Sequence, residues 1–161
     1  MLISYEFQEL NLKEYKEYYK QEKQSEGLSL WKIKKILWQI LMGINYCHSN
    51  GLMHRNLKLD NILSDNQGNI KIADFTLSWI ALVKDAVYTP EDPKERERSG
   101  WEAWRLWYRA PEMLFWKDIT RQEVDIWAVG CIFAELAKDK ALFEGESEVE
   151  QLFKIFKLTG T

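Results

Sequence analysis

The chain has 161 residues, eight Trp, seven Tyr and seven Phe among them, and a formal net charge of −3. That length and aromatic content support one domain with a sizeable core, and the slightly acidic balance argues against a broad nucleic-acid surface. No run of 18 apolar residues and no basic-then-apolar leader is present, so the expectation is an intracellular protein, cytoplasmic or nuclear, that does not engage a membrane.

Residues 1–7, MLISYEF, have strand composition. Leu10 to Gln24 is rich in Lys, Glu and Tyr, and Leu12, Tyr15 and Tyr19 share one helical face, which predicts a short exposed helix broken at Glu26-Gly27. Ser29 is a good N-cap. After it, Leu30, Ile33, Leu37, Ile40, Leu41 and Ile44 recur at helical spacing, predicting a core helix to about Ser49, stopped by Asn50-Gly51. Cys47 and Cys131 sit in apolar helical stretches and read as reduced core residues, with no disulfide or metal role.

Leu52 to Ser78 carries two polar clusters, His54-Arg55-Asn56-Leu57-Lys58-Leu59-Asp60-Asn61 and Asp74-Phe75-Thr76. Between them, Ile62-Leu63 and Ile70-Lys71-Ile72-Ala73 flank the turn composition Asp65-Asn66-Gln67-Gly68-Asn69. A hairpin here brings both clusters together, so that a carboxylate, an amide and a lysine converge on one bound group. Any one of these residues alone is ordinarily a solvated loop residue; the joint pattern carries the signal.

Farther on, Asp85 to Gly100 is charged and contains proline, the composition of a mobile solvated loop. Thr89-Pro90 has the form of a proline-directed phosphorylation site, a dipeptide that chance produces often. Glu123 to Lys138 reads as a helix apolar nearly all round, central to a core, with Asp125 the exception. Ser147 with Glu150 three later forms a capping box, and Leu152, Phe153 and Phe156 give the last helix its apolar side.

In order, His-Arg-x-Leu-Lys at 54–58, Asn61, Asp74-Phe75 and Ala110-Pro111-Glu112 resemble the signature of eukaryotic protein kinases. The stretches LWYRAPE (106–112), VDIWAVGCIFAEL (124–136), LFEGESE (142–148) and QLFKIF (151–156) are similar to the cyclin-dependent branch, within the CMGC group. The resemblance covers nearly the whole chain. It implies a mainly α fold with a small β-hairpin (α+β), the large C-terminal lobe of a kinase. Residues 1–161 then form a single partial domain, with the N-terminal lobe absent, the final helices truncated and 77–112 as the activation-segment equivalent.

The same resemblance implies ATP and Mg2+ as cofactors. Tyr5 to Gln8 fall on the hinge, where the backbone of Glu6 and Gln8 would hydrogen-bond adenine beside the bulky Tyr5. Leu63 would be the apolar floor under the base. Lys58 would neutralise the transferred phosphate, Asn61 would ligate magnesium, and Asp74 would bridge it to the phosphates. His54 would be a packed structural residue, Asp125 would hold the backbone of the catalytic loop, and Arg55 would bind an activation-segment phosphate. Ser99 adjoins Gly100, the position of the activating threonine. Glu112 lacks the later arginine that pairs with it in the family, so it should be partly exposed. The Gly-rich loop and strand lysine that cover the phosphates would lie in the absent lobe, leaving about half of a nucleotide site.

Three positions depart from the pattern. Asn56 stands where kinases carry the Asp that accepts the substrate proton, and an amide has no basicity to do so. Thr76 replaces the glycine after Asp-Phe, and Arg105 replaces a threonine that contacts the catalytic Asp. Three functions follow: an impaired, pseudokinase-type domain acting through binding; an active serine/threonine kinase represented by a partial chain; or an interaction scaffold that takes no nucleotide. A protein substrate or partner is implied. Cyclin binding is not, because the main cyclin-contacting helix belongs to the absent lobe. Apolar patches left bare by that lobe would favour a partner or aggregation.

Overall fold

A computed structural model of the chain describes residues 10–23, 27–65, 67–80, 106–115 and 121–160. The expected hinge positions Tyr5, Glu6 and Gln8, and the activation-segment positions Thr89, Ser99, Gly100 and Arg105, lie outside the described residues. In chain order the elements are β1 (Leu10–Asn11), α1 (Leu12–Lys23), α2 (Leu30–Ser49), β2 (Leu52–Met53), β3 (Ile62–Ser64), β4 (Ile70–Ile72), β5 (Trp79–Ile80), α3 (Pro111–Phe115), α4 (Glu123–Lys138) and α5 (Glu148–Thr159). The described chain is thus mainly helical. Its sheets are small: an antiparallel β1–β3–β4 sheet and a β2–β5 pair.

Helix α1 begins with a reciprocal cap. Asn11 Oδ1 accepts from Glu14 N at 2.9 Å, and Glu14 Oε2 accepts from Asn11 N at 3.1 Å. The helix is less exposed than its composition suggests, since Leu12 and Lys16 are buried and Tyr15 and Tyr19 pack on the core. Helix α2 starts at Ser29, whose Oγ accepts from Lys32 N at 3.4 Å, and ends at Asn50 before Gly51, which has φ +71°. Its buried stripe is Ile33, Ile36, Ile40, Ile44 and Cys47. Leu30 and Leu41, expected inside, are exposed. Leu30 lies about 80° and Leu41 about 100° round the helix from the centre of that stripe, at or beyond its edge.

The hairpin forms as the turn composition predicts, with Ile62 opposite Ile72 and Ser64 opposite Ile70. Strand β1 adds an edge that the sequence reading did not contain. Ile62 and Ser64 point inward, while Leu63 faces the other way with Asn11 and Lys71 as its cross-strand neighbours.

Helix α4 has the predicted bounds and links two cores. Ala128, Val129, Ile132 and Leu136 pack with α1, α2 and the 57–62 segment. Cys131, with Trp127 packed alongside, joins Leu106, Leu114, Phe143 and Ile155 in the second. The helix is not buried all round: Ile126 and Phe133 are exposed on the side away from α2. Helix α5 is capped by Ser147 Oγ, which accepts from Glu150 N at 3.2 Å, but the Glu150 carboxylate reaches Glu146 N (2.9 Å) rather than closing the box on Ser147. Its inward residues are Gln151 and Ile155; Phe153 is exposed. Both cysteines are free and buried, and burial, with Glu135 beside it, pushes the Cys131 thiol up to about 12.

Gly145 is pinned from two sides. Its N–H donates to Gln151 Oε1 at 2.9 Å, and its carbonyl accepts from Trp107 Nε1 at 3.2 Å. A Cβ on Gly145 would lie 2.6 Å from Gln151 Cα and 2.7 Å from its N, backbone atoms that cannot swing aside. Gly145→Ala is therefore expected to cost about 1–3 kcal/mol, read as a lowered midpoint in urea.

A buried charge network ties α1 to the end of α4. Lys16 Nζ lies 3.3 Å from Asp139 Oδ1 and 3.7 Å from Glu135 Oε1, Lys20 pairs with Asp139, and Tyr108 donates its hydroxyl to Glu135 Oε2 at 2.6 Å. Burial alone would raise the Asp139 carboxyl, but Lys20 and Lys16 hold it below its ordinary value. A carboxylate depressed on folding contributes stability above its unfolded pKa of about 3.9 and loses it as pH falls through the folded value. Asp139→Asn should therefore flatten the acid limb of the stability curve, measured by urea midpoints between about pH 5 and pH 2. An acid limb as steep as the parent's would count against this pairing.

Candidate functional site

The segment from His54 to Asn61 is held by one carboxylate. Asp125, fully buried on α4, accepts from His54 N at 2.9 Å and from His48 Nε2 at 2.8 Å through Oδ2, and from Arg55 N at 2.7 Å through Oδ1. Two successive backbone N–H groups converge on it because Arg55 takes a left-handed conformation, φ +66°. Such a backbone costs a non-glycine residue about 1–2 kcal/mol, which charge-assisted hydrogen bonds offset. The role expected for Asp125 is thus present in the geometry.

His54 is completely buried, as expected of a packed residue. Its Nδ1 accepts from Asn56 N at 3.2 Å and its Nε2–H donates to the Ala73 carbonyl at 2.9 Å, the pattern of a neutral ring. Burial lowers its pKa despite that carbonyl and the nearby Asp125 and Asp74. The Phe75 ring packs on it, with centroids 4.7 Å apart. These contacts join the first polar cluster to the second.

The two clusters meet at Asp74, itself left-handed at φ +63°. Asn56 Nδ2 donates to Asp74 Oδ2 at 3.0 Å. Asn61 Nδ2 donates to the same oxygen at 3.1 Å and to the Asn56 carbonyl at 2.7 Å. Thr76 Oγ1 donates to Asp74 Oδ1 at 2.5 Å. The Ala73 N–H donates to the Asn61 carbonyl at 2.8 Å and fixes the register of the two arms. Burial opposes the charged form of Asp74, yet the Thr76 hydroxyl and N–H, then the nearby Lys58 charge, bring its pKa below the ordinary value. Lys58 is itself buried.

The structure therefore gathers Asn56, Lys58, Asn61 and Asp74. Leu63 is half-buried one strand residue beyond Ile62, and Arg55 reaches away to donate from Nη1 to the Leu77 carbonyl at 3.3 Å. Glu112 is half-buried, in keeping with a partly exposed carboxylate. Two participants escaped the sequence reading. His48 lies on an otherwise ordinary helix face, and nothing in the linear pattern pairs it with Asp125. Thr76 stands out in the sequence only as a replacement for glycine, whereas in the structure its hydroxyl donates a hydrogen bond to Asp74.

The residue types suit a hard cation, which takes oxygen ligands. Their arrangement does not. An ionised carboxylate offers about four acceptor positions, and Asp74 has filled most of them with two amide N–H donors and one hydroxyl. Asn61 turns its NH2, not its oxygen, toward Asp74. A magnesium ion between these two residues requires both amides to turn. Among the described residues no group of three or more His, Cys, Asp or Glu forms a metal site, and no helix is long and apolar enough to cross a membrane.

Comparison with protein-family models matches the protein kinase domain over residues 3–161. With nearly every residue inside that match, and with the loop at 54–61 anchored by Asp125 and facing Asp74, the chain belongs to the protein kinase family.

Proposed function

We propose that this chain is a kinase-family domain of the cyclin-dependent branch in which phosphoryl transfer is impaired and binding is the retained role. One observation carries the reading: the side chain at the position of the family's proton acceptor is Asn56, and its NH2 is spent on Asp74. An amide so placed has no proton-accepting capacity, and loss of a general base costs about 10²–10⁴ in rate. Thr76 adds to this by occupying the other oxygen of Asp74. The family uses ATP and magnesium; here Lys58 remains near Asp74 as a charge that would meet a phosphate, while the carboxylate is engaged by protein donors.

The test is phosphate transfer from γ-labelled ATP to a Ser/Thr-Pro protein substrate, using the longest product that contains this segment. No transfer above background is expected. Turnover in the ordinary kinase range of about 1–100 s⁻¹ would overturn the proposal. A second reading, an active serine/threonine kinase, is favoured by the retention of Lys58, Asn61 and Asp74 around one point, and the same assay separates the two. Nucleotide binding is followed independently by thermal unfolding with and without Mg-ATP, since a ligand of the folded state raises the midpoint by mass action. An Asp74-dependent rise supports retained binding; no rise in a cooperatively melting chain supports a scaffold.

A further inference from the structure

Of the chain's seven asparagines, only Asn50 precedes a glycine; the others precede Leu, Ile, Tyr or Gln. Asparagine is thermolabile, because the next peptide nitrogen can attack its side-chain amide. Glycine at that next position carries no Cβ to crowd the attack and leaves the backbone free to reach the required geometry. Asn50 is also exposed, at the C-terminal end of α2.

The link lies on a short closed path. His48 Nε2 and His54 N both donate to Asp125 Oδ2, at 2.8 Å and 2.9 Å. Residues 49–53 therefore leave one carboxylate oxygen and return to it. The path has little slack. Its later part, β2, is paired antiparallel with β5, and the His48 carbonyl at its start accepts from Gln122 Nε2 at 2.9 Å. Gly51 turns the chain between them with φ +71°.

The folded state holds the reacting atoms apart. With ψ at 13°, Gly51 N lies on the side of the Asn50 Cα–C bond away from Cβ. Gly51 N donates to the His48 carbonyl at 3.0 Å, and Asn50 Nδ2 donates to the Tyr46 carbonyl at 2.8 Å. These bonds belong to the last turn of a helix, and helix ends open at far lower free energy than a core.

We propose that Asn50-Gly51 is a site of spontaneous deamidation, gated by fraying of the last turn of α2, and that its isoaspartyl product loosens the loop held by Asp125. In the open state Gly51 N attacks Asn50 Cγ. The N–Cγ bond forms, the Cγ–Nδ2 bond breaks, and ammonia leaves with the proton from Gly51 N. Water then opens the cyclic imide. Cleavage of N–Cγ leaves an ordinary aspartate at position 50. Cleavage between that nitrogen and the backbone carbonyl carbon of position 50 leaves an isoaspartate, whose main chain runs through Cβ and Cγ. Water enters and ammonia leaves; nothing is oxidised or reduced.

Both products lose the donor to the Tyr46 carbonyl and set a negative charge at the C-terminus of α2, where the helix dipole disfavours it. Only the isoaspartate lengthens the path from His48 to His54, by one carbon. Because that path closes on Asp125 Oδ2, the added atom pushes one of the two donors off it. The site is separate from Asp74, so the proposal stands whether or not phosphate is transferred.

The test is ageing of the intact chain at mildly alkaline pH, in buffer and in urea, followed by peptide mapping by mass and by Edman degradation, which stops at isoaspartate. Position 50 should convert before any other asparagine, with isoaspartate the major product, and about tenfold or more faster in urea, where no opening step is needed. Amide hydrogen exchange at His54 and Arg55 should be about tenfold or more faster in the isoaspartyl protein, separated by ion exchange, than in fresh protein. Asn50→Asp carries the charge on an ordinary backbone and should keep protection close to the parent's. Asn50→Gln, whose longer side chain closes the ring far more slowly, should age without change at position 50. Conversion at position 50 no faster than at Asn56, or equally fast in buffer and urea, would overturn the proposal. So would unchanged protection of His54 and Arg55 in the isoaspartyl protein, or an equal loss of protection in Asn50→Asp.

Discussion

Asp125→Ala is expected to abolish the cooperative unfolding transition or lower stability by about 3–5 kcal/mol. The carboxylate is 1% exposed and receives three hydrogen bonds, from His48 and from the backbone N–H groups of His54 and Arg55. Removing it leaves two buried backbone donors without acceptors, each costing about 1–3 kcal/mol. It also removes two of the hydrogen bonds that hold the left-handed backbone at Arg55 in place. Against a total of about 5–15 kcal/mol for a domain, that sum is large. Asp125→Asn keeps one acceptor oxygen and should fall between the two, which distinguishes loss of charge from loss of hydrogen bonding. Urea titration followed by far-UV circular dichroism makes the measurement. An alanine variant within about 1 kcal/mol of the parent would show that the loop is held by something other than this carboxylate.

Asn56→Asp should have the next largest effect, and its size depends on divalent cation. In the parent the amide donates to Asp74 Oδ2 at 3.0 Å. The substitution removes a hydrogen bond to a charged group, about 1.5–3 kcal/mol, and sets two carboxylates face to face. Like charges at that range raise a carboxyl pKa. A folded-state carboxyl raised above its unfolded value destabilises the fold at pH above that raised value. The deficit should therefore be greatest near neutral pH and shrink on acidification. Magnesium should recover much of the lost midpoint in the variant, where carboxylate oxygens face one another, and do little for the parent, whose Asp74 oxygens already face N–H and O–H donors. Thermal scans with magnesium and with a chelator, at neutral and acid pH, read all of this. An equal response of parent and variant to magnesium would show that the Asn56–Asp74 hydrogen bond does not govern the site.

Local patterns carried much of the fold. The Ser29 and Ser147 caps, the Asn50-Gly51 stop, the bounds of α4 and the 65–69 turn all depend on groups within a few residues, so a linear reading suffices for them. Periodicity was weaker at choosing faces. Leu30, Leu41 and Phe153 are apolar at plausible positions yet exposed, while Ile36, Cys47 and Gln151 are inside. Which side of a broadly apolar helix is covered depends on the neighbour it meets, and spacing along the chain does not specify that neighbour.

The candidate site divides in the same way. The sequence by itself determined which chemical groups are present: His54, Asn56, Lys58, Asn61, Asp74 and Asp125 in the kinase order, with an amide at the proton-accepting position. Only the tertiary structure decided what that amide does, because the direction of its N–H is set by a carboxylate 18 residues away across the hairpin. It also decided that Thr76 supplies a hydroxyl to Asp74, that His48 joins Asp125 from 77 residues away, and that Lys16 is buried between Glu135 and Asp139. For Asn56, His48 and Lys16 the physical reason is the same, while Thr76 lies two residues from Asp74 and depends on the left-handed backbone there. Hydrogen bonds and buried ion pairs depend on distance and direction between groups far apart in the chain, and those are properties of the packed fold rather than of local composition.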